Sequence, residues 1–303
     1  MVMSTGNFPQ DLRPGIRMWF GDAYKAYDTK YDKLLDVKIP DDRAYEEDVM
    51  LAALGLPVLK TQGASVTFDQ GDQLFSTRFV HLQYGLGFVI TEEMASDGIA
   101  LKMGKVFAEN LKLSMLRGRE IFAHNVYINL FSSTLQDGME GGDGVAPAAS
   151  NHPTLGANFS NVPTTAAGLS EAAIEQAVID IQGFTDNRGI IIAVRPAKLI
   201  VPLALQFQAE RILKSPLRSG TADNDINAVR NLAMIPEIVV SPYLTSATNW
   251  FVKTDQPGMV FFNRKDIVLS EDNDFDTENM KTKGLMRMSA GVSDPRAIYG
   301  VNA

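Results

Sequence analysis

Cysteine is absent from all 303 residues. That excludes a disulfide framework, thiolate metal sites and a cysteine nucleophile, and it fits assembly in a reducing cytoplasm. No stretch of about 18 uninterrupted apolar residues occurs, so no membrane-spanning helix is expected. The opening MVMSTGNFPQDLRPG lacks a basic flank followed by an apolar core, so it does not read as a secretory signal. Basic residues are outnumbered, 28 Lys and Arg against 36 Asp and Glu, for a formal net charge of -8. No run of five or more basic residues occurs. A tight nucleic-acid binder shows a basic face; a protein that only borders nucleic acid needs none.

Catalytic and ligand motifs are also missing. The 3 histidines, His81, His124 and His152, are scattered and form no H-x-x-x-H or H-E-x-x-H pair, so no histidine metal site is expected. Glu271-Asp272-Asn273-Asp274-Phe275-Asp276 resembles a calcium loop. Such a loop starting at Asp272 requires Gly and Glu where Thr277 and Lys283 stand, so it reads as a solvated acidic turn. Gly138, Gly141, Gly142 and Gly144 follow no strand and precede no Lys-Ser/Thr pair, which excludes a phosphate loop. No G-x-S-x-G elbow occurs, and nothing positions a Ser-His-Asp triad. The chain therefore carries no catalytic constellation and implies no cofactor.

What is present is a folded chain, 45% hydrophobic and 21% charged, with unusual proportions. Trp19, Phe20, Tyr24, Tyr27 and Tyr31 form an aromatic series at roughly helical spacing, on an arm that packs either on its own domain or on a neighbour. Ala64 to Ile90 reads as two arms of a β-hairpin turning at Asp69-Gln70-Gly71-Asp72. An isolated ribbon is marginal in water, so one this long needs a surface to lie on. Thr91 to Phe131 contains no proline and repeats apolar residues at helical spacing (Ile99, Met103, Val106/Phe107, Leu111, Met115, Ile121/Phe122, Val126), with Thr91 as N-cap. Ser132 to Gly168 is rich in Gly, Ser, Asn, Pro and Thr and reads as a long surface connection and domain boundary. Beyond it the pattern predicts a helix over Leu169–Thr185, strands at 190–194 and 199–201, a helix over Leu203–Lys214, and strands at 237–240, 250–252 and 259–262. Late strands are expected at 285–288 and 297–301. Strands mixed with helices indicate an α/β or α+β domain.

The order of these parts resembles the major capsid proteins of tailed bacteriophages, the Hong Kong 97 fold. The likeness is sharpest to Mu-like major head subunits. It is carried by Asn151-His152, Ser160-Asn161, Leu169-Ser170, Arg188-Gly189, Pro196 to Pro202, Asp225-Ile226-Asn227 and Val239 to Leu244, with Trp250-Phe251 and Asp294-Pro295-Arg296. The resemblance implies an α+β fold with an N-terminal arm (1–55), an extended loop (56–90), a peripheral domain with spine helix and connection (91–168), an axial domain (169–263) and return strands (264–303). It implies no enzyme. It implies a shell subunit that assembles with itself into hexamers and pentamers around packaged DNA, in a virion built in the bacterial cytoplasm. Separate scaffolding, portal and cement proteins are the expected partners.

Some relatives cross-link through a lysine on the extended loop, but Thr61 to Leu101 contains none, so no such bond is expected. The initiator methionine at position 1 suggests that no scaffold segment is cleaved from this chain. Contacts between copies are expected from Trp19, Tyr24, Phe68, Phe75, Arg78 and Phe79, since aromatic and arginine side chains are the usual interface anchors. Competing readings are a nanocompartment shell that encloses protein cargo, a soluble α/β enzyme without a recognisable site, and a phage tail or connector subunit.

Overall fold

The computed structural model describes residues 29–40, 42–96, 100–133, 142–217, 225–274 and 276–303. Trp19, Tyr24, Ile99, Gly138 and Gly141 lie outside them. In chain order the elements are α1 (Tyr31–Leu34), β1 (Asp36–Lys38), β2 (Tyr45–Leu51), β3 (Gln73–Val80), β4 (Leu82–Ile90), α2 (Glu92–Ser96) and α3 (Ala100–Ile128). There follow α4 (Glu171–Gln182), β5 (Pro196–Pro202), α5 (Gln206–Lys214), α6 (Ala228–Asn231), β6 (Glu237–Ser241), β7 (Trp250–Thr254), β8 (Met259–Asn273), β9 (Met280–Val292) and β10 (Ile298–Val301).

Among the described residues, three sheets form. The spine sheet has the order β1-β8-β9-β4, the axial sheet β10-β7-β5-β6, and β2 pairs with β3 alone. Every neighbouring pair is antiparallel except β1 with β8 and β5 with β6. The expected hairpin over Ala64–Ile90 does not form. The outward arm of the ribbon is β2, with Tyr45 opposite Val80, and the return arm is β3. β4 instead pairs along β9, from Leu82 opposite Met288 to Ile90 opposite Met280. Register explains the switch. His81 sits between β3 and β4 and is buried, so the chain passes from a free ribbon into a sheet within one residue. Sheet membership also departs from the expected boundaries: β8 runs unbroken through Asn263, and β10 returns to the axial sheet.

The spine helix α3 lies on the spine sheet through Leu111, Met115, Phe122 and Val126, all nearly fully buried. Ile121, placed by periodicity on the same stripe, is 47% exposed. Glycine allows part of this contact: a Cβ on Gly284 would sit 3.3 Å from Met115 Cγ and 3.6 Å from Leu111 Cγ on α3. The axial strands read as unbroken apolar runs because both faces are covered, as in buried sheets. Leu199, Val201, Trp250 and Val252 face the core shared with α4 and α5. Ile200 and Phe251 face the spine core instead. Ile190–Val194 makes only an isolated bridge at Ile191, with no strand.

Where it is described, the glycine-rich connection is part surface loop, with residues 155–158 and 164–168 exposed, and part core. Ala146, Ala148 and His152 are buried, and the reason is Asn161. Its Nδ2 donates to the carbonyls of Pro147 (2.7 Å) and Pro295 (2.9 Å), while its Oδ1 accepts from the Ala149 N–H (2.9 Å). One side chain thus supplies hydrogen bonds that buried irregular backbone otherwise lacks. His152 Nδ1 lies 2.5 Å from Asp143 Oδ2 and completes the packing.

Residues 30–38 tie the two larger sheets together. Leu34 and Leu35 are fully buried in the spine core, and β1 joins the spine sheet. From the same short segment, Lys30 Nζ donates to the Val240 carbonyl (2.7 Å) and the Lys33 carbonyl accepts from Lys198 Nζ (3.1 Å). Asp36 meets Lys253 Nζ at 2.8 Å, and all three of these partners belong to axial strands. Lys253 is 6% exposed, so its ammonium depends on Asp36. Because Asp36 itself is half-exposed, Asp36→Ala is expected to cost about 1–2 kcal/mol, measured by urea unfolding of the unassembled subunit. Adding Lys253→Met should recover most of it, and an unchanged midpoint in Asp36→Ala would refute the dependence.

Candidate assembly interface

β2 and β3 carry between them a projecting loop, closed in two places. At its base the Ala52 N–H donates to the Asp72 carbonyl (2.8 Å). At its neck the Gly55 N–H donates to Asp69 Oδ2 (2.6 Å). Its tip turn is Thr61–Ala64, where the Ala64 N–H reaches the Thr61 carbonyl (3.1 Å), and not Asp69–Asp72. Those aspartates close the stem. Leu51, Leu54, Leu56, Val58, Leu59, Val66 and Phe68 are exposed, Phe68 at 91% and Leu59 at 89%. Monomeric proteins rarely leave so many large apolar side chains contiguous in water.

The ribbon is rooted in its own subunit by residues that were expected to face a neighbour. Phe79 is fully buried, with Val260 and Phe262 as its core partners and its ring 5.2 Å from that of Phe262. It therefore offers nothing to a second copy; β3 alternates, and residue 79 falls on the inward face. Phe75 shares that face, is half-buried, and lines a small cavity with Gly142, Asp143 and His152. Arg78 points outward, its guanidinium 4.2 Å from the Tyr45 ring centre and 2.7 Å from Glu47. Of the expected contact residues that are described, Phe68 and Arg78 are accessible. The exposed leucines and valines were missed in the sequence, although Leu51 to Leu59 carried a signal: an apolar run punctuated by Gly55 and Pro57 that fits neither the helical nor the strand period.

Among the described residues no cluster of His, Cys, Asp and Glu could hold a metal ion. Nor is any helix long and apolar enough to cross a membrane. The histidines instead serve structure. His81 Nδ1 lies 2.8 Å from Ser289 Oγ and anchors the ribbon root to the spine sheet. His124 Nδ1 donates to the Glu120 carbonyl at 2.6 Å, one turn back on α3. Glu120 is fully buried, which the helical stripe did not foresee. Its Oε1 accepts from the Lys30 N–H (2.8 Å) and the Tyr31 N–H (3.3 Å), capping α1 from a distant helix. Arg119 is likewise buried, bonded to Asp266 at 2.9 Å and lying 4.7 Å from the Tyr31 ring centre.

A projecting, apolar, ribbon-borne loop thus stands on a two-sheet body with a long helix. A family model described as phage capsid protein matches residues 75–301. The chain belongs to the phage capsid protein family. Solved structures extend the likeness over nearly the whole capsid subunit. A chain of Mycobacterium phage Che8 is 9% identical with a TM-score of 0.55, covering 96% of this chain and 98% of that one. The capsid of Myoviridae phage XM1 is 11% identical with a TM-score of 0.55, covering 95% and 99%. The capsid of an empty GTA particle is 12% identical with a TM-score of 0.53, covering 95% and 92%. Among curated protein sequences none matches. The fold is thus α+β and of the tailed-phage capsid type, and the subunit is a structural shell protein.

Burial holds the rings of His81 and His124 below their ordinary value of 6.5, with Arg287 and Arg264 adding to the effect at His81 and Lys30 at His124. A depressed pKa in the folded state means stability that is present above pH 6.5 and is lost as pH falls through the folded values. Burial raises Glu120, which acts in the opposite sense: its contribution is present at low pH and is lost as pH rises through its folded value. Two histidines against one carboxyl make acid below pH 6.5 destabilising, each histidine contributing a slope of up to about 1.4 kcal/mol per pH unit. The double variant His81→Asn, His124→Gln is expected to flatten that slope in urea unfolding at stepped pH. A slope equal to that of the unaltered subunit would refute the assignment.

Proposed function

We propose that this capsid subunit is the major head protein, building an icosahedral shell of hexamers and pentamers that encloses packaged double-stranded DNA. The observation that carries the reading is the match to the phage capsid protein family over residues 75–301, joined to an exposed apolar loop that water does not favour. In this reading the loop lies over an adjacent copy, and the arm bearing Trp19 and Tyr24 adds a second contact. Phe68 and Arg78 face the neighbour. Each large apolar side chain taken out of water contributes about 1.5–3 kcal/mol, so a handful per subunit, repeated around a closed shell, suffices without covalent links. The net charge of -8 supports a wall that borders DNA without gripping it. Scaffolding, portal and cement proteins would be separate chains, and assembly would take place in the host cytoplasm.

Electron microscopy of the purified full chain tests the shell, and nuclease-protected DNA in particles from infected cells tests the cargo. Closed shells holding DNA are expected. Shells that hold only protein would overturn the genome reading, and tubes or small rings would overturn the head reading. Leu59→Ser with Phe68→Ser is expected to reduce particle yield at least about tenfold while leaving the melting temperature of the unassembled subunit unchanged. Undiminished yield would remove the loop from the assembly contact.

A further inference from the structure

Arg188 has no role in the core, yet the fold spends several contacts on holding it. It stands in the turn Asp186–Ile190, where the Asp186 carboxylate accepts the N–H groups of Arg188 (2.8 Å) and Ile190 (2.9 Å). The turn is itself gripped from behind by the buried Arg296, whose guanidinium donates to the Thr185 carbonyl (2.7 Å) and Asn187 Oδ1 (2.8 Å). From this rigid mount Arg188 reaches the neck of the projecting loop. Nη1 lies 3.1 Å from Asp69 Oδ2, and Nη2 donates to the Gln70 carbonyl at 2.7 Å. Asp69 at the same time accepts the N–H groups of Gly55 and Gln70, which hold its carboxyl below the usual range. A side chain at residue 55 would crowd this cluster, with a Cβ 3.2 Å from Asp69 Oδ2 and 3.6 Å from Arg188 Nη1.

We propose that Arg188 is a positioning residue for self-association: within one subunit it clamps the loop neck at Asp69 and Gln70, so that the apolar loop is presented in one direction before a neighbouring copy arrives. The inference rests on the reading that this loop covers a neighbour. The physical reason is entropic. A loop ordered only on docking would charge its lost freedom against the contact. A planar guanidinium that binds a carboxylate and a carbonyl together removes that freedom in advance, and a lysine ammonium cannot match its fork.

Arg188→Ala is expected to raise the subunit concentration needed for half-maximal assembly about tenfold, the scale of one charge-assisted contact. The melting temperature of the unassembled subunit should stay unchanged, and Arg188→Lys should fall between the two. Assembly of Arg188→Ala at the unaltered concentration overturns the inference. If Leu59→Ser with Phe68→Ser blocks assembly in that same experiment, the loop reading survives and only the clamp fails. If both variants assemble normally, the loop reading fails as well.

Discussion

The ammonium of Lys253 and the carboxylate of Asp36 meet between two sheets that share no strand. The short segment around that pair joins the two sheets, beside the core in which Ile200 and Phe251 of the axial sheet pack with the spine residues. Leu34 and Leu35 fill the spine core, β1 extends the spine sheet, and Lys30 and Lys33 bond to the axial strands. The Leu34 carbonyl accepts the buried hydroxyl of Tyr127 on α3 at 2.8 Å, so helix, spine sheet and axial sheet are all referenced to the same few residues. In a shell subunit the angle between these layers sets how neighbours meet, because a small rotation in each copy accumulates around a closed surface.

The same economy governs the polar groups inside. A carboxylate, a guanidinium and an imidazole on one turn of α3 (Glu120, Arg119, His124) are buried where an amphipathic pattern predicts solvent. Glu120 and Arg119 are explained by neighbours from other parts of the chain, the first N–H groups of α1 and Asp266 on β8, and His124 by the helix's own carbonyl one turn back. Asn161 does the same for the connection after the spine helix. Such groups cost free energy when unpaired and little when paired, so they belong to places where elements must meet in one way only.

Against this fixed body the loop between β2 and β3 is built in the opposite manner. Its root is buried through Phe79 and His81, its neck is pinned through Asp69, and its arms carry apolar side chains into solvent. Buried root, pinned neck and exposed apolar arms are the features on which the proposed contact with a second copy rests. The subunit's family, shown by the match to phage capsid proteins, accounts for why natural sequence would retain so much exposed apolar surface.

Several features were legible in the amino-acid order alone. The spine helix followed from proline-free apolar spacing over Ala100–Ile128, whereas the expected Thr91 start belongs to the short α2, where the Met94 N–H reaches the Thr91 hydroxyl at 3.4 Å. The buried axial strands followed from their unbroken apolar runs, and the capsid class from the succession of parts. These are local or order-based properties, written in periodicity and spacing. Strand partnership was not legible: β3 and β4 read as one return arm of a hairpin, and the burial of His81 and the edge offered by β9 send them to different sheets. Nor was the inward facing of Phe79, the burial of Glu120, or the encounter of Arg188 with Asp69 across 119 positions. Those depend on which residues distant in sequence arrive side by side, and no local pattern encodes that; packing decides it.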